Sequence, residues 1–223
     1  LQVFVLGIVE RFINLFRGNN WLVIPAALLC IVVHEVSHGY AAHLLGDRTA
    51  KSMGRLTLNP LPHIDPIGLI CMMLFGFGWA KPVPVNPYHF NKRKLGMAIV
   101  AFAGPLSNIL FAVISLLLLR LNFYLSANLN ANYPVFEVLT SFFTTLAILN
   151  VGLAVFNLIP VPPLDGSKVV FSLLPHRLYG NILRFEQYGI FILIVLINLP
   201  VFNNILSRMI ENLFEFIVSL IFI

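Results

Sequence analysis

The chain has 223 residues, of which 59% are hydrophobic and 10% charged, with a mean hydropathy of +0.90. A soluble domain carries about a quarter charged residues, so this composition excludes an ordinary soluble enzyme and indicates a polytopic membrane protein. The net charge of +5 does not indicate nucleic acid, because the basic residues cluster beside apolar segments, as they do in cytoplasmic loops.

Residues 1–17 are apolar apart from Glu10 and Arg11, and at about 1.5 Å per residue they are short for a full span. They lack the basic start and small-residue cleavage site of a secretory signal. Residues 21–45 make a better span, closed by Gly46 as a C-cap. Arg48, Lys51 and Arg55 follow and assign this end to the cytoplasm.

From Gly54 to Phe90 the prolines and glycines (Pro60, Pro66, Gly76, Gly78, Pro82, Pro84, Pro87) exclude a continuous helix. Arg55–Leu58 and Trp79–Val85 alternate like strands, the second confined by its prolines to a sheet edge. Ile67–Phe77 is very apolar, which predicts a re-entrant element. Such backbone is tolerated at membrane depth only against protein or a water-filled cavity, and is expected near a site.

Asn91-Lys92-Arg93-Lys94 is a second basic cluster. Residues 95–121 span outward, 122–133 form an uncharged outer loop, and 134–158 return to the proline-rich Ile159–Pro163. Residues 181–199 span once more, and 203–223 form an amphipathic or bundle-facing helix carrying Arg208, Glu211 and Glu215. No internal repeat and no inserted soluble domain are evident. The cysteines, Cys30 and Cys71, lie in apolar runs and read as reduced packing residues rather than a disulfide or metal pair. The predicted fold is an all-α polytopic membrane protein of about four to six membrane helices, with a small membrane-associated β-hairpin or sheet and a re-entrant region.

The most informative pattern is His34-Glu35-Val36-Ser37-His38, inside the second apolar segment. Two His four apart on a helix project from one face and can grip one zinc ion. The intervening Glu35 then lies close enough to act as general base toward a zinc-bound water. Three ionisable residues within five positions of a span are costly, and their default reading is functional.

A catalytic zinc takes a third protein ligand. His43 lies on the same helix but is rotated off the His34/His38 face. Asp47 and Asp65 suit loop and capping roles. Glu186, Glu211 and Glu215 read as bundle or surface charges. Asp165, on irregular backbone at the end of a proline-broken helix, is the strongest candidate, with a helix N-cap for 167–174 as its alternative role. Asn157 is placed either to donate to an oxyanion or to cap the end of its helix. His63 reads as a hydrogen-bonded structural residue.

His34-Glu35-x-x-His38 in one span and Asn157-x-x-Pro160-x-x-x-Leu164-Asp165-Gly166 in a later one together resemble the site-2 protease family of intramembrane zinc metalloproteases. Gly54–Pro60 running on through His63-x-Asp65-Pro66-x-Gly68, Gly76–Asn86, and Ala103-Gly104-Pro105-x-x-Asn108 are similar to the compact members that lack a PDZ domain. The resemblance covers about residues 21–180. It implies one Zn2+ per chain held by His34, His38 and Asp165, Glu35 as general base, and Asn157 as a catalytic stabiliser.

On this reading 1–223 is a single integral-membrane protease domain: an apolar N-terminal helix in 1–20, a catalytic core in 21–180 and C-terminal helices in 181–223. The expected activity is hydrolysis of peptide bonds within or next to transmembrane segments of membrane proteins, in a prokaryotic plasma membrane with the site toward the cytoplasm. A transmembrane helix must unwind before its peptide bonds can be attacked. Gly76, Phe77, Gly78, Trp79, Ala80 and Lys81 are the candidate edge that would hold it by β-augmentation. The partners expected are transmembrane substrates and the lipid bilayer, with no nucleic acid and no identifiable regulator. The competing classes are a proteolytically inactive metal-binding scaffold, a transporter, for which a repeated architecture is expected, and a protease using Glu186 or Glu211 as third ligand.

Overall fold

The structure is a computed structural model and describes residues 21–68, 80–128, 133–175 and 188–222. The α-helices in chain order are α1 (Val23–Leu44), α2 (Thr49–Ser52), α3 (Arg93–Asn128), α4 (Pro134–Asn157), α5 (Asp165–Ser172), α6 (Gly189–Ile197) and α7 (Pro200–Phe222). Single 3-10 turns occur at Leu61–His63 and Pro87–His89. Among the described residues α1, α3 and α4 are long and apolar enough to cross a membrane. A fourth is added if Phe191–Ile197 and α7, bent by 82°, form one broken span. The apolar segment at 1–17 lies outside the described residues.

α1 shows how a span without a polar face still acquires an inward side. Its buried positions include Val23, Ala26, Cys30, His34, His38 and Ala42, spaced three or four apart and hence on one stripe. Val23, Ala26 and Cys30 pack on Leu146 and Leu149 of α4. One turn further along, the same stripe carries the two histidines into the bundle. α1 stops where expected: Gly46 adopts φ 102°, a conformation open to glycine at little cost. Cys30 is a free, buried cysteine, as expected; Cys71 lies outside the described residues.

α3 is the central helix. Ala112, Leu116 and Leu119 pack with Ala147, Val151 and Val155 of α4 and Ile217 and Ile221 of α7. Nearer its start, Val100 joins Ala42 and Phe90 in a smaller cluster. α3 continues through Pro105.

The expected β-hairpin is not found among the described residues. Among the described residues the one bridge is antiparallel, Ile64 to Ala80, beyond the expected strand at Arg55–Leu58, with the Lys81 N–H donating to the His63 carbonyl at 2.9 Å. Pro82 and Pro84 offer no N–H to extend a ladder. In the other arm local side chains capture the backbone: Thr57 Oγ1 accepts from the Asn59 N–H at 3.1 Å, and Asn59 Oδ1 from that of Leu61 at 3.1 Å. Such turns compete with strand pairing. Residues 69–79, with most of the expected re-entrant element, lie outside the described residues.

Candidate metal centre

His34 and His38 leave α1 one turn apart and meet Asp165, the first residue of α5. Their Nε2 atoms are 3.0 Å apart, and each is 3.1 Å from Asp165 Oδ2. All three residues are buried. Asp165 is not a helix cap, since its carboxylate turns to the histidines instead of to its own helix.

The approach depends on two glycines. A Cβ on Gly166 would lie 2.1 Å from the Leu158 carbonyl oxygen, so only glycine lets the start of α5 fold against the end of α4. A Cβ on Gly104 would lie 2.5 Å from His38 Cε1 and Nε2 and 2.7 Å from His34 Cε1. α3 therefore presents bare backbone to both imidazole rings.

The residues fit a zinc ion. Ligand atoms at three corners of a tetrahedron with bonds of about 2.0–2.1 Å are separated by roughly 3.3 Å, close to the triangle observed. On the far side of the rings, His34 Nδ1 is 2.5 Å from Asn108 Oδ1 and His38 Nδ1 is 2.7 Å from the Val100 carbonyl oxygen. With both Nδ1 atoms donating outward, the neutral rings turn two lone pairs toward each other and toward a carboxylate. A shared cation relieves that arrangement. Lys168 Nζ lies 3.8 Å from the other carboxylate oxygen, Oδ1. Among the described residues no second group of three His, Cys, Asp or Glu comes within ligand reach. Glu211 is thus outside any such group, and Glu186 falls outside the described residues.

Glu35 is half-buried, and its Oε2 accepts from the Val83 N–H at 2.8 Å. The general-base candidate is thereby tied to the extended segment after Ala80. Arg55 donates from its guanidinium to the Lys81 and Pro82 carbonyls at 2.8 and 3.3 Å. Asp47, fully buried, accepts from the Asn86 N–H at 2.6 Å, from His89 Nδ1 at 2.7 Å and from the Thr49 N–H and hydroxyl. Burial pushes the Asp47 carboxyl up, but the bonds from Thr49, Asn86 and His89 outweigh it and hold the group down to about 2.

Of the edge candidates, Gly76, Phe77, Gly78 and Trp79 lie outside the described residues. Lys81 has its N–H on His63 and its carbonyl under Arg55. In a bridge of this kind the paired residues turn their own N–H and C=O outward, which leaves those of Ala80 on the open side. Asn157 donates from Nδ2 to the Leu153 carbonyl at 3.0 Å, the helix-end bond that was its alternative reading. His63 is buried and its Nε2 bonds the Thr57 carbonyl at 3.0 Å.

Two residues of this centre carried no role in the sequence. Asn108 stands only in a motif; the signal for Asn150 is an uncharged amide in the middle of a span, where polar groups need partners.

The model of peptidase family M50 matches residues 131–199. The chain is 39% identical over 184 residues to YwhC of Bacillus subtilis (strain 168), named as a candidate zinc metalloprotease, covering 82% of this chain and 83% of that protein. It is 30% identical over 206 residues to Rip2 of Mycolicibacterium smegmatis, similarly named, covering 90% of this chain and 76% of that protein. The zinc metalloprotease MJ0392 of Methanocaldococcus jannaschii is 29% identical over 172 residues, which are 75% of this chain and 40% of that one. No solved structure matches the chain.

Proposed function

Because the chain belongs to peptidase family M50, the zinc metalloproteases of the site-2 protease family, we propose that it cleaves membrane-protein substrates within or next to their transmembrane segments. The observation that carries this reading is the convergence of His34, His38 and Asp165 on one point, with two of the ligands on an apolar span. A protease whose ligands sit on such a helix acts on peptide that enters the bilayer.

His34, His38 and Asp165 hold the zinc. When bound, zinc polarises the substrate carbonyl and lowers the pKa of bound water to about 7. Glu35 takes the proton from the attacking water and delivers it to the leaving amine. Oε2 of Glu35 is engaged by Val83, leaving Oε1 to handle the proton. Asn157 serves the oxyanion once its amide leaves the Leu153 carbonyl. The unwound substrate pairs along the segment that ends at Ala80, with Gly76–Trp79 completing the edge. Lys92, Arg93 and Lys94 at the start of α3 and Arg48 and Lys51 after α1 orient this end of the bundle toward the cytoplasm.

Reconstitution with a panel of single-span substrates tests the reading. Cleavage is expected, abolished by a chelator and lowered about 10²–10⁴-fold by Glu35→Gln, with zinc content unchanged. Full activity in Glu35→Gln would sink the mechanism.

A further inference from the structure

Asn108 on α3 and Asn150 on α4 are both fully buried. They form a chain of amides whose polarity can be read from the end farthest from the metal ligands. The Leu146 carbonyl can only accept, so the Asn150 atom facing it at 2.8 Å is Nδ2. Asn150 Oδ1 then faces Asn108, whose Nδ2 donates to it at 2.7 Å. The same Nδ2 also lies 3.2 Å from the Cys30 carbonyl of α1, a second group that can only accept. Both contacts require one orientation of Asn108, with Oδ1 toward His34 Nδ1 at 2.5 Å. That ring nitrogen must therefore carry a proton, and in the neutral ring that a metal needs Nε2 holds the lone pair, facing His38 and Asp165.

We propose that Asn108, backed by Asn150, is the positioning residue of the metal centre: it sets the tautomer and ring plane of His34 in advance of metal binding. His38 gets the equivalent restraint from the Val100 carbonyl, a backbone group that no side-chain change removes. His34 depends on a side chain instead, so the two histidines differ in how substitutions reach them. The relay also joins α1, α3 and α4, since its acceptors and donors lie on all three. A partner behind a ligating histidine raises its basicity and fixes its orientation, and loss of such a partner costs about 10–100-fold in metal affinity.

The proposal rests on His34 being a ligand, and the test separates the two. Zinc affinity is measured on the full chain in detergent, by competition with a chromophoric chelator, for wild type, His34→Ala, Asn108→Leu, Asn108→Asp and Asn150→Leu. Asn108→Leu keeps the volume but offers His34 no acceptor, and is expected to weaken zinc about 10–100-fold. Asn108→Asp keeps the acceptor toward His34, and as the uncharged acid its O–H replaces the amide N–H toward Asn150 Oδ1, so affinity is expected within a few-fold of wild type. Asn150→Leu leaves Asn108 its bond to Cys30, so a smaller loss is expected than for Asn108→Leu. In zinc-free wild type, the ¹⁵N shifts of His34 should report a proton on Nδ1, a readout that needs no variant to fold. Wild-type affinity in Asn108→Leu, equal loss in the Leu and Asp variants, or a His34 Nδ1 without a proton would each overturn the relay. Zinc retention in His34→Ala would instead remove the ligand assignment beneath it.

Discussion

The candidate metal centre and the segment from Ala80 to Asn86 lie side by side but are held in opposite ways. The centre is built by helices: α1, α3 and α5 each bring backbone or a ligand to it, and α4 backs it through Asn150. The segment has no sheet among the described residues. Single bonds from charged side chains pin it: Arg55 on the Lys81 and Pro82 carbonyls, Glu35 on the Val83 N–H, Asp47 on the Asn86 N–H. Glu35 belongs to both regions. Different parts of the molecule thus secure the candidate metal ligands and the candidate base, which predicts that the two can be disrupted separately.

The strongest test of that separation strikes the centre alone. Gly104→Ala adds a methyl group 2.5 Å from the His38 ring, closer than van der Waals contact allows, so a ring or α3 must shift. Zinc affinity is expected to fall about 10–100-fold. Activity falls at least as far, since small displacements of catalytic groups cost about 10²-fold. Chelator competition and cleavage assays on the same preparation check both. An unchanged zinc affinity would mean that the close approach of α3 to the histidines does not restrain them.

Val83→Pro strikes the segment alone. It deletes the N–H that Glu35 accepts from and adds no charge. Val83 precedes Pro84, which already confines it to extended backbone near what proline requires. Zinc content is expected to hold at the wild-type level while kcat falls about 10–100-fold. Val83→Ala keeps the N–H and should retain most of the rate, so the pair separates the bond from the packing of the side chain. Joint loss of zinc and activity in Val83→Pro would merge the two regions into one.

The same contrast explains what the sequence made legible. The spans follow from hydropathy, and His34 and His38 from helical period, because both depend on regular backbone whose geometry is known in advance. Asp165 was legible as an acid on broken backbone that needs a partner. The relay was not, because period alone does not say which face of α3 meets which face of α4, and Asn150 acquires its meaning only there. The hairpin was expected wrongly for a related reason. Alternating residues suggest strands, but whether Pro82 and Pro84 find a ladder depends on the expected strand at Arg55–Leu58, where Thr57 and the neighbouring Asn59 capture the backbone locally.

Acid should loosen the hold on the segment through Asp47. Asp47 is fully buried, and its carboxyl is depressed from 3.8 to about 2. In the unfolded chain the group takes up its proton near its ordinary value, so folding is favoured by its ionised form above about pH 4. That contribution, about 2 kcal/mol from the size of the shift, is lost as pH falls from about 4 toward 2. Above pH 5 it is constant. Thermal unfolding in detergent should therefore show a decline below pH 4 that Asp47→Asn flattens, with a lower stability for that variant at neutral pH. Zinc affinity at neutral pH should be unaffected, since Asp47 bonds residues 49, 86 and 89 and none of the ligands. An Asp47→Asn variant with the wild-type acid profile would show that the segment does not depend on this carboxylate.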